Sequence, residues 1–410
     1  MGRSEGADVD EFLLIGVDGG ATEVKAHAVA CDDLGRRTSF RLRPESASRV
    51  YPRLPGFVPL SVTEQLAQRD SGDLRRSAEE IEQASRWVTA AAEAVVDVAR
   101  QCGVARVLVG VGMPGLKTPD GRGINVINNG PRIPDYLDRF EQQVAAAGIT
   151  LLAPVAALGS DADYCGLGEE YADEGLFRDV QNAYYCGGGT GIADALKLRG
   201  RLVPFDQART WIQKSWQIPS ALGPTFEKLV SASSLNRVWT ELNAVTPRPP
   251  VDPTPYPEVA ALTGDPLAAG WLATAALVLA ELIFERLWTI RNGRAATAQR
   301  GEAYARLAPE HEYRGLLLDR VVIGQRVGLI YGDPRFRPVF GERVDAYLAA
   351  FVARSGDADM SAAYLQPPTG GGANAGQASA TLKAGFLRAS RLRAAPALGA
   401  AIAALQAFVK

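Results

Sequence analysis

Asp18-Gly19-Gly20-Ala21-Thr22 stands between a short apolar run, Phe12 to Val17, and a segment, Glu23 to Ala30, in which polar and apolar residues alternate. Such a pattern predicts a β-hairpin with a glycine tip. A tip without Cβ atoms lets backbone N–H groups approach a phosphate, and an acid just ahead of it can hold a Mg2+-bound water. A plain hairpin turn would satisfy the same residues. A second tip, Gly187-Gly188-Gly189-Thr190-Gly191, occupies the equivalent place in the other half of the chain. Two opposed tips can grip a triphosphate from both sides of a cleft. Between them the apolar run Val155 to Leu158 passes through Gly159-Ser160-Asp161-Ala162-Asp163 into a predicted helix reaching Gly168-Glu169. Ser160 or Asp161 would stand at its N-cap, where the helix dipole favours a carboxylate. There Asp161 could take the proton of a substrate hydroxyl whose oxygen attacks phosphorus, or merely cap the helix.

Gly110-Val111-Gly112-Met113-Pro114-Gly115 satisfies GxGxxG after a strand. A dinucleotide fold requires a helix to start at that loop. Pro114, Pro119, Gly121 and Gly123 argue against one, no acid ends a following strand at the expected distance, and no GxxxxGK[ST] occurs. The elements around these motifs repeat one plan. The first half reads as hairpin, then helical spacing from Ser77 to Arg100 (Ile81, Ala84, Val88, Ala91, Val95, Val98), then a buried strand at Val107 to Val111. The second half reads as a hairpin around the 187–191 tip, helical spacing from Pro266 to Ile290, and a strand at Leu317 to Ile323 before Gly324. Residues 41–78 read as an irregular excursion, and the Pro-dense stretch 244–264 as a connecting loop. Pro334 to Val352, Ala378 to Leu392 and Pro396 to Val409 read as helices.

The chain of 410 residues is long enough for two or three domains, and 47% hydrophobic residues leave no room for wholesale disorder. Lys and Arg number 44 against 46 Asp and Glu, so no global basic field draws the protein to nucleic acid or an anionic membrane. Four scattered cysteines without a CxxC pair and two histidines, His27 and His311, are too few for a His/Cys metal cluster. Nothing at the N-terminus resembles an export signal, so a cytoplasmic location is expected. The most apolar stretch, Trp271 to Trp288, contains Glu281, Glu285 and Arg286, which suits a buried helix better than a membrane span.

Taken together, Asp18 to Thr22, Gly112-Met113-Pro114-Gly115, Ser160-Asp161-Ala162-Asp163 with Gly168-Glu169, Gly189-Thr190-Gly191-Ile192, Ile323-Gly324-Gln325 and the ending Ala394 to Ala401 resemble the ROK family of bacterial sugar kinases, over roughly residues 11–408. The resemblance implies an α/β fold of two duplicated actin-like (ribonuclease H-like) domains around an ATP cleft. The expected division is 11–155, 156–395, and a C-terminal helix 396–410 packing back on the N-terminal domain. It also implies ATP and Mg2+ as cofactors, a small polyol substrate, and a homodimer. By position, Asp18, Gly19, Gly20, Ala21 and Thr22 would form the first phosphate loop and Gly189, Thr190 and Gly191 the second. Asp18 would hold Mg2+ through water, and Asp161 would be the catalytic base beside Ser160. Gly324 and Gly399 would lie on the adenosine side, and Asn128 or Asn129 would bind sugar hydroxyls.

The departures bear on the substrate. Family members carry a Gly-Glu-x-Gly-His segment and a zinc-binding Cys cluster; here the equivalent stretches are Pro204 to Trp211 and Thr225-Phe226-Glu227 to Ser231, so no zinc is expected. Asp206 could replace the missing Glu, and Trp211 with Trp216 could wall a ring, although packing is the default for Trp. Without the Glu/His clamp, a pocket built around glucose hydroxyls would leave buried groups unpaired. The expectation is therefore a kinase for a hexose or amino sugar, with a C7-cyclitol of the valiolone type as the alternative and a catalytically silent sugar-binding relative as the second. A sugar-responsive repressor would need a DNA-reading domain ahead of Phe12, and none is expected there.

Overall fold

In the computed structural model, which describes residues 12–32, 39–208, 210–246, 254–296, 307–367 and 380–410, the glycine tip at Asp18 closes β1 (Leu13–Gly19) onto β2 (Glu23–Asp32). The two strands pair antiparallel, with Asp18 opposite Lys25. The chain divides into two units: the residues up to Asp173 together with Ala394–Lys410, and Glu174–Arg393. The sequence reading set the first boundary at 155; the structure sets it after Asp173, leaving the helix that begins at Asp161 in the first unit.

The first unit continues through β3 (Ser39–Val50), α1 (Val62–Ser71), α2 (Ala78–Cys102), β4 (Arg106–Met113), β5 (Leu116–Lys117), β6 (Ile124–Val126), α3 (Tyr136–Ala146), β7 (Thr150–Leu151), β8 (Leu158–Ser160) and α4 (Asp161–Tyr171). Its main sheet runs β3-β2-β1-β4-β7, with β8 also on β4. Helix α2 starts at an N-cap, Ser77 Oγ accepting the Glu80 N–H, and stops at Gly103 in the left-handed region. Ala84, Val88, Ala91, Val95 and Val98 are buried as their spacing requires, whereas Ile81 is exposed. The expected irregular excursion at 41–78 contains an edge strand and a helix. Pro44 misled the reading: it lies on the outer strand, where register shifts between His27 and Val29, and a strand edge tolerates a residue without an N–H.

The second unit repeats the topology with β9 (Ala183–Gly188), β10 (Ile192–Leu198), β11 (Arg201–Leu202), α5 (Phe205–Ala208), α6 (Glu227–Val230), α7 (Ala232–Val245), α8 (Pro257–Leu262), α9 (Pro266–Asn292), β12 (Arg320–Gly324), α10 (Gln325–Gly332), α11 (Glu342–Arg354), α12 (Ala358–Tyr364) and β13 (Leu387–Ala389). Its sheet order, β11-β10-β9-β12-β13, matches that of the first unit strand for strand, with an antiparallel hairpin followed by parallel strands. This is the duplicated α/β plan. Helix α9 has the length and composition of a membrane span, yet its Glu285 and Arg286 are buried with its leucines in the core of this unit. The stretch 244–264 is not all loop. α7 reaches Val245 and α8 starts at Pro257, in a first turn where a missing N–H leaves nothing unpaired; residues 247–253 lie outside the described residues. The helix expected over Ala378 to Leu392 is absent among the described residues of that range. Gly385, at φ 81°, turns the chain, and Leu387-Arg388-Ala389 beyond it form β13.

The last helix, α13 (Ala395–Phe408), belongs to the first unit and lies on α4, β1 and β4. Its approach is close. A Cβ on Gly110 would stand 1.8 Å from the Ala400 carbonyl oxygen, and one on Gly399 1.9 Å from that of Tyr164. The GxGxxG run is thereby accounted for without a dinucleotide: Gly110 admits α13, Gly112 lies against the Tyr164 ring, and Gly115 turns at φ 91° into β5 rather than a helix. Gly110→Ala is expected to lose about 1–3 kcal/mol in urea unfolding, because a main-chain carbonyl cannot step aside as a side chain can. A loss below about 0.5 kcal/mol, within the range of surface substitutions, would refute this packing account.

Candidate active site

In the first unit the parallel register lines up Asp18 with Gly112 on β4, and Gly112 with Gly159 on β8. Chain entry into α4 follows at Ser160, so Asp161 is the first residue of the helix. Ser160 holds the N-cap position but makes no side-chain cap bond. Asp161 lies close enough to Asp18 for its charge to act on the Asp18 carboxyl. Neither carboxylate has a hydrogen-bond or ion-pair partner among the described residues. Burial, then Asp161 and to a smaller extent Glu23, pushes the Asp18 carboxyl from 3.8 up to about 7, with Lys25 opposing. Two neighbouring carboxylates, both half-buried and without partners among the described residues, form a donor set that a hydrated divalent cation fits. Of the rest of the first tip, Gly19 is buried against Met113, the Gly20 N–H is tied to the Glu23 carbonyl (2.8 Å), and Thr22 is exposed while its carbonyl accepts the Tyr51 N–H (3.0 Å). Ala21 lies partly exposed between them.

Asn128 and Asn129 are exposed on the loop after β6. That loop is held from an unexpected side. Gln65 of α1, within the supposed excursion, is buried and pairs with Ile127 at both ends of its amide: Ile127 N–H to Oε1 (2.8 Å) and Nε2 to the Ile127 carbonyl (2.9 Å). Arg132 is likewise buried, its Nε and Nη2 on the two oxygens of Glu80 (2.8 and 2.7 Å) and its Nη1 on Gln68 Oε1 (2.6 Å). These braces were missed in the sequence. A glutamine or arginine whose partner lies more than fifty residues away leaves no local pattern to read.

In the second unit the tip between β9 and β10 is gripped from both sides. The Ile192 N–H donates to Glu227 Oε2 (2.9 Å), which also lies against Gly191, and the Gln325 side chain lies against Gly189. Gln325 is one of two non-glycine residues in the left-handed region among those described (φ 54°), and it follows Gly324 directly at the start of α10. Gly189, Thr190, Gly191 and Gly324 are therefore brought together, with Thr190 exposed at the apex. Gly399 belongs to the first unit and is buried at the crossing of α13 and α4, where packing demands glycine, which accounts for this residue without the expected adenosine contact. Asp206 falls in α5, and its side chain lies outside the described residues. Trp211 is buried against His311 and Tyr313 (ring centroids 5.5 and 5.9 Å), so it forms core, while Trp216 is 49% exposed. Asp194, beside the second tip in sequence, is buried and ion-paired with Arg286. Among the described residues no group of three or more His, Cys, Asp or Glu could hold a metal ion.

No family model and no curated protein sequence matches this chain. Solved structures do match along nearly its whole length. A ROK hexokinase from Thermus thermophilus is 18% identical with a TM-score of 0.52, covering 97% of this chain and 99% of its own. A ROK family glucokinase from Streptomyces griseus, solved with glucose and AMPPNP, is 17% identical with a TM-score of 0.54, covering 96% and 99%. A ROK family protein from Streptococcus pneumoniae, solved with sucrose, is 14% identical with a TM-score of 0.50, covering 97% and 99%. At these identities the likeness is one of fold, and the fold is the duplicated actin-like α/β architecture of the ROK kinases.

Proposed function

We propose that this chain, whose fold is that of the ROK sugar kinases, is an ATP- and Mg2+-dependent kinase that phosphorylates a hydroxyl of a small ring polyol. The observation that carries the reading is the pair Asp18 and Asp161, near one another at the end of β1 and the start of α4, with no hydrogen-bond or ion-pair partner among the described residues. Asp161, at the positive end of α4, accepts the proton of the acceptor hydroxyl. As that oxygen bonds to the γ-phosphorus, the bond to the β,γ-bridging oxygen breaks and ADP leaves. Asp18 would hold Mg2+ through water, and the ion when bound would offset charge on the phosphates. The Asp18–Thr22 and Gly189–Gly191 tips would be the phosphate loops, shaped by their own bonds from the Gly20 N–H to the Glu23 carbonyl (2.8 Å) and from the Gly189 N–H to the Gly191 carbonyl (2.9 Å), the second also by Glu227 and Gln325. Gly324 would lie on the adenosine side. Asn128 and Asn129, steadied through Gln65 and Arg132, would bind acceptor hydroxyls with Ser160, and Asp206 is a further candidate for that role.

A hexose or amino sugar is the first substrate class, and a C7-cyclitol of the valiolone type the alternative, because the segment after β11 lacks the Glu/His clamp of the family. The protein would act as a homodimer without structural zinc. An ATP-consumption assay over hexoses, amino sugars and cyclitols is expected to give Mg2+-dependent ADP release with one class. Phosphorylation of none of them, or one equivalent of tightly held zinc by elemental analysis, would count against the reading.

A further inference from the structure

We propose that Tyr164 is a positioning residue, its ring seated where Gly112 and Gly159 have no side chains, so that the first turn of α4 holds Asp161 beside Asp18; what Asp161 does there rests on the kinase reading above. Parallel neighbours in register carry their side chains to the same face of a sheet, and Asp18, Gly112 and Gly159 are such neighbours on β1, β4 and β8. One carboxyl and two empty places therefore stand in one row, its members about 4.8 Å apart. The Tyr164 ring fills both places. A Cβ on Gly112 would lie 2.9 Å from its Cδ2, and one on Gly159 1.9 Å from its Cζ and 2.2 Å from its hydroxyl oxygen. A main-chain hydrogen bond also joins Gly159 to that hydroxyl.

Tyr164 follows Asp161 by three residues, on the same side of α4. No other side chain of this turn is both large and buried: Ala162 carries only a methyl group, and Asp161 and Asp163 are partly exposed. Ser160 makes no side-chain cap bond, so packing sets the place at which the helix starts. The Tyr164 main chain is confined as well, since its carbonyl oxygen lies 1.9 Å from where a Cβ on Gly399 of α13 would stand. Three glycines on three elements thus have one tyrosine in common. A residue close-packed at both its ring and its main chain has little freedom to shift, and the carboxylate one turn earlier inherits that constraint. The constraint matters because a reacting group displaced by about 1 Å can lose on the order of 100-fold in rate.

The test compares Tyr164→Ala, Tyr164→Phe and Gly159→Ala in the full chain, using whichever of glucose, glucosamine and valiolone is phosphorylated. Tyr164→Ala is expected to lower kcat by about 10- to 100-fold, with the KM values for acceptor and ATP within about threefold. Tyr164→Phe keeps the ring and is expected to recover most of that loss. In the Asp161→Asn background, Tyr164→Ala is expected to cost less than about twofold more, because no base is left to place. Gly159→Ala, which pushes the ring aside without removing it, is expected to lower kcat in the same way and serves if Tyr164→Ala does not fold. A second readout needs no turnover. In urea at pH 8 without Mg2+, Asp161→Asn is expected to raise the unfolding midpoint of the wild type by relieving Asp18, and to raise it much less in Tyr164→Ala, where the two carboxylates are no longer held together. Wild-type kcat in Tyr164→Ala, an equal loss in the Asp161→Asn background, or a midpoint shift that is absent from the wild type or undiminished in Tyr164→Ala overturns the proposal. If none of the three compounds is phosphorylated, or if Asp161→Asn is fully active, the kinase reading fails, and the urea comparison still decides the placement.

Discussion

Asp161→Asn is expected to lower kcat by about two to four orders of magnitude, the usual contribution of a positioned general base, with the KM values for acceptor and ATP changed only a few-fold. The asymmetry between kcat and KM follows from what the side chain does in the fold, which is little. Ser160 holds the N-cap position, Asp161 makes no cap bond, and its carboxylate has no hydrogen-bond or ion-pair partner among the described residues. Asn has the same shape and can keep a hydrogen bond to an acceptor hydroxyl, but it cannot take the proton. Thermal stability of the variant should equal or exceed that of the wild type, because the substitution removes a charge that acts unfavourably on Asp18. The comparison needs steady-state kinetics with the accepted substrate alongside a melting curve. A variant with wild-type kcat would remove Asp161 from the mechanism, and one with a raised acceptor KM but unchanged kcat would make it a binding group instead.

The two hairpins and the order of strands and helices around them were legible because glycine tips and the change from two-residue to helical apolar spacing are local signals. So was the placing of Asp161 at a helix start, since a strand end running into a helical pattern fixes the junction to within a residue. What escaped lies in pairs distant in sequence. The edge strand Ser39–Val50 pairs along its length with β2, apart from one bridge between Phe40 and Ala172, and carries Pro44, so its own residues read as irregular. Gln65 and Arg132 acquire their roles from partners reached only after folding. Gly399 was assigned to a ligand because motif position was its only guide, and a neighbouring backbone 1.9 Å from its absent Cβ explains it better. Trp211 and Trp216, alike in the sequence, part company in the structure because a buried Asp194–Ser215 contact fixes the segment between them.

Asp18→Asn is expected to abolish phosphoryl transfer and yet to stabilise the metal-free protein at pH 8. Burial, reinforced by Asp161, raises the folded-state carboxyl from 3.8 to about 7. Between those two values the folded chain retains a proton that the unfolded chain has released. Stability contributed by this group is therefore greatest at or below about pH 4, falls as pH rises towards 7, and stays at its lowest above that. The distance from 3.8 to about 7 corresponds to a ceiling of ~4 kcal/mol, of which solvent access to a half-buried group removes part. Asn carries no charge at any of these pH values, so the gain of the variant over wild type should be small near pH 4, grow through pH 5 and 6, and level off above 7. Adding Mg2+ should narrow the gap at pH 8 by stabilising the wild type and not the variant, since a ligand that binds only the folded state raises its stability. Urea melts at pH 5 and pH 8, each with and without Mg2+, resolve all four terms. A variant no more stable than wild type at pH 8 would show that the carboxylate is better solvated than its neighbours allow. A gain that Mg2+ leaves unchanged would separate Asp18 from the cation and assign its buried charge to the acceptor or the phosphates alone.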